Sequence, residues 1–257
     1  MIRHLRLAAA TAVIILSAVP AFAADRLESV LEQKVLRVGM TGDFKPFTYL
    51  NPETKQFEGM DVELAQSLGK ALGVEVKFVH TSWPNLMADL TADKFDIGMS
   101  GISVNLERQK KALFSTAFMV SGKTPITKCE NVAKFQTLEQ IDKPGVKLVV
   151  NPGGTNERFA RANIKNAEIT VYNDNVTIFD QIVSGKADLM ITDAIETMLQ
   201  QKLRPALCAV HPEEPFNYAE IAYLLPPDMR WKAYVDQWLH LAIKSKEYEA
   251  VYNKWLK

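Results

Sequence analysis

The strongest constraint on this chain's fold is the alternation of short apolar runs with stretches of helical spacing. "VLRVGM" (Val35 to Met40), "VEVKFVH" (Val74 to His80), "FDIGMSGI" (Phe95 to Ile102), "VKLVVN" (Val146 to Asn151), "EITVYN" (Glu168 to Asn173) and "ADLMITD" (Ala187 to Asp193) read as strands. Between them, Val62 to Leu72, Trp83 to Leu90, Glu157 to Asn163 and Ile178 to Val183 carry apolar residues at helical intervals. Strands separated by helices demand parallel sheets with crossover connections, so the class is α/β.

The pattern repeats. "NLMADLTADKFDIGMSG" (Asn85 to Gly101) and "TIFDQIVSGKADLMITD" (Thr177 to Asp193) align without a gap at an offset of about 92 residues, with Leu86 over Ile178, Leu90 over Ile182, Lys94 over Lys186 and Asp96 over Asp188. Each copy is a helix that passes through a polar turn into a buried strand. Any two α/β units share some likeness, but an ungapped match of this length favours two similar lobes. Ligands of open parallel sheets sit beyond the carboxyl ends of the strands. That rule selects the loops Thr41 to Phe47, Ser100 to Gln109, Asn151 to Glu157 and Thr192 to Glu196, which two lobes can present to one another across a cleft.

Composition narrows the setting. Arg3, His4 and Arg6 precede an apolar run from Leu7 to Val19, and Ala21-Phe22-Ala23 supplies a cleavage triplet, the pattern of a secretory signal peptide over residues 1–23. Cleavage there leaves an exported chain of about 234 residues. No other stretch reaches the roughly 18 to 20 apolar residues that a membrane helix needs, so no membrane partner is expected after cleavage. The precursor carries 30 basic and 30 acidic residues, and loss of Arg3 and Arg6 leaves 28 − 30 = −2. Nucleic acid, which selects a strongly basic face, is not an expected partner. The two cysteines, Cys129 and Cys208, predict a disulfide in an exported protein. Metal binding is the weaker reading, because two thiols without clustered histidines make a poor zinc site.

The strand-end loops offer carboxylate-binding chemistry. Arg108 follows a loop that can present backbone N–H groups and the hydroxyls of Ser100 and Ser103, and a guanidinium fork matches a carboxylate with two parallel bonds. In "NPGGTNE", two glycines allow close backbone approach while Thr155 and Asn156 open a helix whose amino terminus attracts anions. That loop lacks the lysine and the spacing of a nucleotide phosphate loop, so a carboxylate is the better guest. Trp83, Phe44 and Phe47 are either core or the wall of a ring-binding pocket, and Asp43 shares the first loop with the two phenylalanines. Lys123, in "SGKTPIT", falls where the chain passes from the first lobe to the second, either solvated or reaching the cleft.

These segments resemble a known class. Arg108 in "ERQKKALFS" and Asp193 in a strand-end "TD" are similar to the periplasmic amino-acid binding proteins that serve ABC transporters, which implies a two-lobed, type II periplasmic binding fold. Over nearly the whole mature chain, "TGDFKPF", "TSWPNLM", "MSGISVNLERQ", "GKTPIT", "NPGGTNERFARAN", "DNVTIF" and "GKADLMITDAIE" more closely resemble the periplasmic cyclohexadienyl dehydratase family. The resemblance implies lobes of residues 24–127 with 219–257, and 128–218. It also implies the Cys129–Cys208 bridge, and a small-molecule substrate, prephenate or arogenate, that loses water and carbon dioxide without a metal or organic cofactor. Glu196 matches the family's proton donor, and Trp83, Arg108, Lys123 and Asn156 match pocket positions. Asp193 matches the acid that holds the ligand's amino group in the transport relatives.

The pair Asp193 and Glu196 thereby acquires two readings. On one, Asp193 caps the following helix and Glu196 complements its dipole. On the other, Glu196 is a general acid that must keep its proton near neutral pH, about three units above an ordinary glutamate, held neutral by dryness and by the negative charge of Asp193. Lys123 and Arg108 then act as anion clamps. Lys123 is expected to face the substrate rather than Glu196, whose proton a close cation would release. The competing function is an amino-acid carrier, which uses Arg108 and Asp193 and gives Glu196 no duty.

Overall fold

A computed structural model describes residues 25–256, and the expected signal peptide lies outside them. Two five-stranded sheets carry the chain, and they are built alike. In the first, Glu75–His80, Val35–Met40 and Ile97–Gly98 run parallel, followed by Leu224–Leu225 and Leu113–Phe114 in antiparallel pairing. In the second, Glu168–Val171, Lys147–Val150 and Leu189–Asp193 run parallel, followed by antiparallel Lys123–Lys128 and Leu207–Ala209. The fold is α/β and two-lobed.

The internal echo is structural. The helices Leu86–Thr91 and Ile178–Val183 occupy matching places, and the strands they feed, at Ile97 and Leu189, are each third in sheet order. The polar turn between them needs a left-handed residue in both copies, supplied by Asp93 at φ 57° and Gly185 at φ 77°. The aligned aspartates do the same work. Asp96 Oδ2 accepts from the backbone N–H of Arg37 at 2.7 Å, and Asp188 Oδ2 from that of Lys147 at 2.8 Å, each tying its strand to the neighbouring parallel strand.

One expectation is corrected. The strand expected over 95–102 is only Ile97–Gly98, because the chain turns away at Gly101, whose φ is +60° and whose N–H goes to the buried Asp61 carboxylate at 2.8 Å. A Cβ on Gly101 would meet the Phe47 ring at 2.3 Å, so the turn requires glycine. Lys123–Thr127, at the expected lobe limit of 127, pairs residue for residue with Leu189–Asp193 in the second sheet. Gly122 precedes that strand, beside the two-stranded ribbon of Met119–Ser121 and Ala219–Ile221.

Each lobe has its own core. The carboxyl-terminal helices Met229–Lys244 and Glu247–Leu256 return to the first lobe, where Trp231, Val235 and Leu239 pack with Leu64 and Leu68. Ile126, Phe179 and Met190 lie at the centre of one cluster of the second lobe. One element belongs to both. The helix Ala194–Leu203 leaves the second sheet, yet Ile195 and Leu199 are buried in the first lobe's core, and its Lys202 Nζ donates to the Leu256 carbonyl at 2.5 Å. Cys129 and Cys208 form the expected disulfide, linking the residue just past the strand Lys123–Lys128 to the middle of its partner Leu207–Ala209.

Candidate active site

The strand Leu189–Asp193 is buried along its whole length, and it delivers Thr192 and Asp193 to the cleft just before the helix Ala194–Leu203 begins. Asp193 occupies the N-cap position, but its side chain makes no capping bond. It turns instead to Lys123, directly opposite in the antiparallel register, whose Nζ donates to Asp193 Oδ2 at 2.9 Å. Both side chains are at most 5% exposed. The ammonium also donates to Thr155 Oγ1 at 2.9 Å and Asn156 Oδ1 at 2.5 Å, so all three of its protons stay within the protein. Asp193 Oδ1 has no partner among the described residues and its side chain lines the cleft cavity, a buried acceptor available to a ligand.

One helical turn on, Glu196 is 1% exposed. Burial pushes its carboxyl up to about 8. Thr192 Oγ1 opposes this by donating to Oε2 at 2.5 Å, the charges of Asp193 and Asp43 add to the rise, and Lys123 exerts the least of the named influences. Glu196 therefore holds a proton at neutral pH, and the Thr192 bond to Oε2 leaves Oε1 to carry it. Lys123 is linked to this acid only through intermediaries: Asn156, which takes its ammonium, donates through Nδ2 to Thr192 Oγ1 at 2.9 Å and to Asn151 Oδ1 at 3.0 Å. The ion pair fixes the geometry around Glu196 without touching it.

Phe44, Trp83, Ser103, Thr155, Asn156 and Asp193 converge on one cavity between the lobes. The lobes meet there through Ser103 Oγ and Thr155 Oγ1, 3.3 Å apart. Trp83 stands edge-on to Phe44, with centroids 5.9 Å apart, and its Nε1 donates to Asp43 Oδ1 at 3.0 Å. Asp43 is itself pushed up by burial. Glu196 and Asp43 line a second space behind the first, and Asn175 is common to both.

Arg108 stands apart from the inner cavity. Its helix Leu106–Gln109 is capped by Asn105, its Nη1 donates to the Ser103 carbonyl at 2.8 Å, and it lines an outer space with Trp83, Gly153 and Arg158. Burial, then the charge of Arg158, lower its pKa to about 10, so it remains a cation at neutral pH. Thr192 and Asn175 were given no role by sequence reasoning. Thr192 sits four residues before Glu196, a spacing that does announce a side-chain pair at a helix start; Asn175, held by its Nδ2 to the Asp43 carbonyl at 3.0 Å, gives no comparable signal.

Two lobes of matched α/β topology around a polar cleft define a solute-binding architecture, and the family of bacterial extracellular solute-binding proteins, family 3, matches residues 36–257. The chain belongs to that family. Within it, the chain is 57% identical over 254 residues to the cyclohexadienyl dehydratase of Pseudomonas aeruginosa, covering 99% of this chain and 94% of that one. The L-cystine-binding protein TcyJ of Escherichia coli is 30% identical over 172 residues, covering 67% of this chain and 64% of that one. Among solved structures, an ancestral amino acid-binding protein described as a precursor of cyclohexadienyl dehydratase superposes with a TM-score of 0.83 at 35% identity, covering 90% of this chain and 99% of that one. An ancestral cyclohexadienyl dehydratase is 51% identical with a TM-score of 0.57, covering 91% and 97%.

Proposed function

We propose that this chain is a periplasmic lyase that converts prephenate to phenylpyruvate and arogenate to phenylalanine, with Glu196 as general acid. The observation that carries the mechanism is a fully buried glutamate, its carboxyl pushed up to about 8, one helical turn from the cleft-lining carboxylate of Asp193. Both substrates carry a ring carboxylate and, on the opposite ring carbon, a hydroxyl. The bond from the ring to the carboxylate breaks, carbon dioxide leaves, its electron pair enters the ring, and the carbon–oxygen bond to the hydroxyl breaks to restore aromaticity. Hydroxide is a poor leaving group. A proton passed from Glu196 Oε1 to that oxygen lets water depart instead, an effect of about 10² to 10⁴ in rate.

The other residues bind and orient. Trp83 and Phe44 wall the ring, the hydroxyls of Ser103 and Thr155 supply donor capacity, Asn156 joins Lys123 to Thr192, and Arg108 contributes a cation for a carboxylate at the outer rim. Lys123 orients Asp193, Thr155 and Asn156. Asp43 orients Trp83 and, with Asp193, keeps negative charge near Glu196. Asp193 Oδ1 suits the amino group of arogenate, which prephenate lacks.

Incubation of the purified protein with prephenate, followed by the appearance of phenylpyruvate, tests the activity. Glu196→Gln keeps the shape and removes the donor, so turnover should fall by about 10² or more while substrate binding survives; an unimpaired variant would exclude Glu196 as the acid. The second reading, an amino-acid carrier, is favoured by one feature, the unpaired acceptor Asp193 Oδ1. Tight binding of an amino acid with no turnover of prephenate is its expected signature.

A further inference from the structure

The dehydration consumes a proton at every turnover, because the oxygen leaves as water and Glu196 is left as a carboxylate. A proton from solvent must therefore reach a side chain that is 1% exposed. We propose that the space behind Glu196 is the route of that proton, with Gln200 as the positioning residue along it; the proposal rests on the dehydratase reading.

Glu196, Gln200 and Arg204 succeed one another at intervals of four residues, so they lie along one face of the helix Ala194–Leu203 and its end. The adjacent face, with Ile195 and Leu199, is sealed in the first lobe's core. The face of Glu196 and Gln200 lines the rear space, whose walls also include Asp43, Lys45 and Asn175 along with Tyr49, Val176 and Leu203. Its accessible wall is more apolar than polar, but Glu196, Gln200, Asn175 and Asp43 give water there the two or more polar partners that it needs. Its inner end is the buried Glu196. At its outer end stand Leu203, 52% exposed, and Arg204, with 24% of its side chain exposed. Arg204 Nη1 donates to Gln200 Oε1, and Arg204 is itself anchored to Asp180 Oδ1 at 3.0 Å, so Gln200 is held along the wall between the acid and the surface.

The front offers no equivalent path while substrate is bound. The inner cavity lies on the other side of Asn175, and the ring of the substrate occupies it during the reaction. The nearby cation Lys123 has spent its protons on Thr155, Asn156 and Asp193. In each cycle Glu196 gives its proton to the leaving oxygen and takes one up from hydronium or buffer acid in solvent, relayed by water in the rear space, so one solvent proton is consumed per turnover and the starting acid is restored.

The test separates the first turnover, which uses the proton already stored on Glu196, from those that follow. Rapid mixing with prephenate is compared with steady-state turnover for the wild type, Gln200→Leu, which makes the wall apolar, and Val176→Phe, which narrows the space from its other side. Both variants should complete the first turnover within about twofold of the wild type, then run about tenfold slower with an enlarged solvent deuterium effect, while Gln200→Glu restores the steady-state rate. If the first turnover falls as much as the later ones, Gln200 merely holds Glu196 in place and the route is wrong. Unchanged rates in both phases mean that the proton returns through the opened front of the cleft, which equally overturns it. A wild-type protein that never turns prephenate over removes the dehydratase reading itself, a result distinct from either.

Discussion

A glutamate that stays neutral at pH 7 is a cost to the fold. The unfolded chain releases that proton near 4.5 while the folded one holds it to about 8, so the unfolded state binds fewer protons throughout this interval and stability falls as pH rises across it. By pH 7 the penalty is on the order of 3 kcal/mol. Glu196→Gln, inactive by the mechanism above, should therefore melt no lower than the wild type at pH 7, and the two should converge near pH 4. A marked loss of melting temperature in the variant at pH 7 would mark Glu196 as an ordinary ionised structural acid. The same raised value predicts that kcat/KM declines above about pH 8 as the free enzyme loses its donor. Lys123 gives the opposite behaviour: Lys123→Met leaves Asp193 buried beside Glu196 without its partner, and a loss of about 3 to 5 kcal/mol in chemical unfolding is expected. The acid pair itself was legible in the sequence, but its geometry was not. Spacing alone allows Asp193 to cap its helix; only the cross-strand register, which puts Lys123 opposite it, shows that the carboxylate is taken up elsewhere.

The repeated unit of helix, polar turn and strand was readable because its signals are local: apolar periodicity, a left-handed turn position and an aspartate that ties two strands together. The strand Lys123–Lys128 sent no such signal. It contains Pro125, a residue otherwise confined to sheet edges and bulges, and it is stabilised by partners more than 60 residues away, Leu189–Asp193 on one side and Leu207–Ala209 on the other. Its entry is tightly constrained. A Cβ at Gly122 would lie 2.1 Å from the Asn217 carbonyl oxygen, while the Gly122 carbonyl accepts from the N–H of Ala194 at the start of the helix that bears Glu196. Gly122→Ala should thus shift both chain crossings. A loss of stability of about 1 to 3 kcal/mol with a fall in turnover is the expected outcome, and an unchanged melting curve with full activity would show that the crossing is looser than its packing implies.

For the whole molecule, the two-lobed plan follows from the repeat and from the family, and the composite first lobe follows from a chain that crosses over and returns. The bridge Cys129–Cys208 encloses 79 residues of the second lobe, so its reduction should lower stability by about 4 kcal/mol by the chain-entropy account, measurable by denaturant unfolding with and without reductant. What no sequence pattern disclosed is where the apolar face of the helix Ala194–Leu203 goes. Ile195 and Leu199 have the spacing of any core position, and nothing in that spacing tells one lobe's interior from the other's. Their burial in the opposite lobe has a mechanical meaning. Glu196 therefore sits on the element that both halves of the molecule hold, so any swing of one half against the other moves this side chain together with the walls of the cleft.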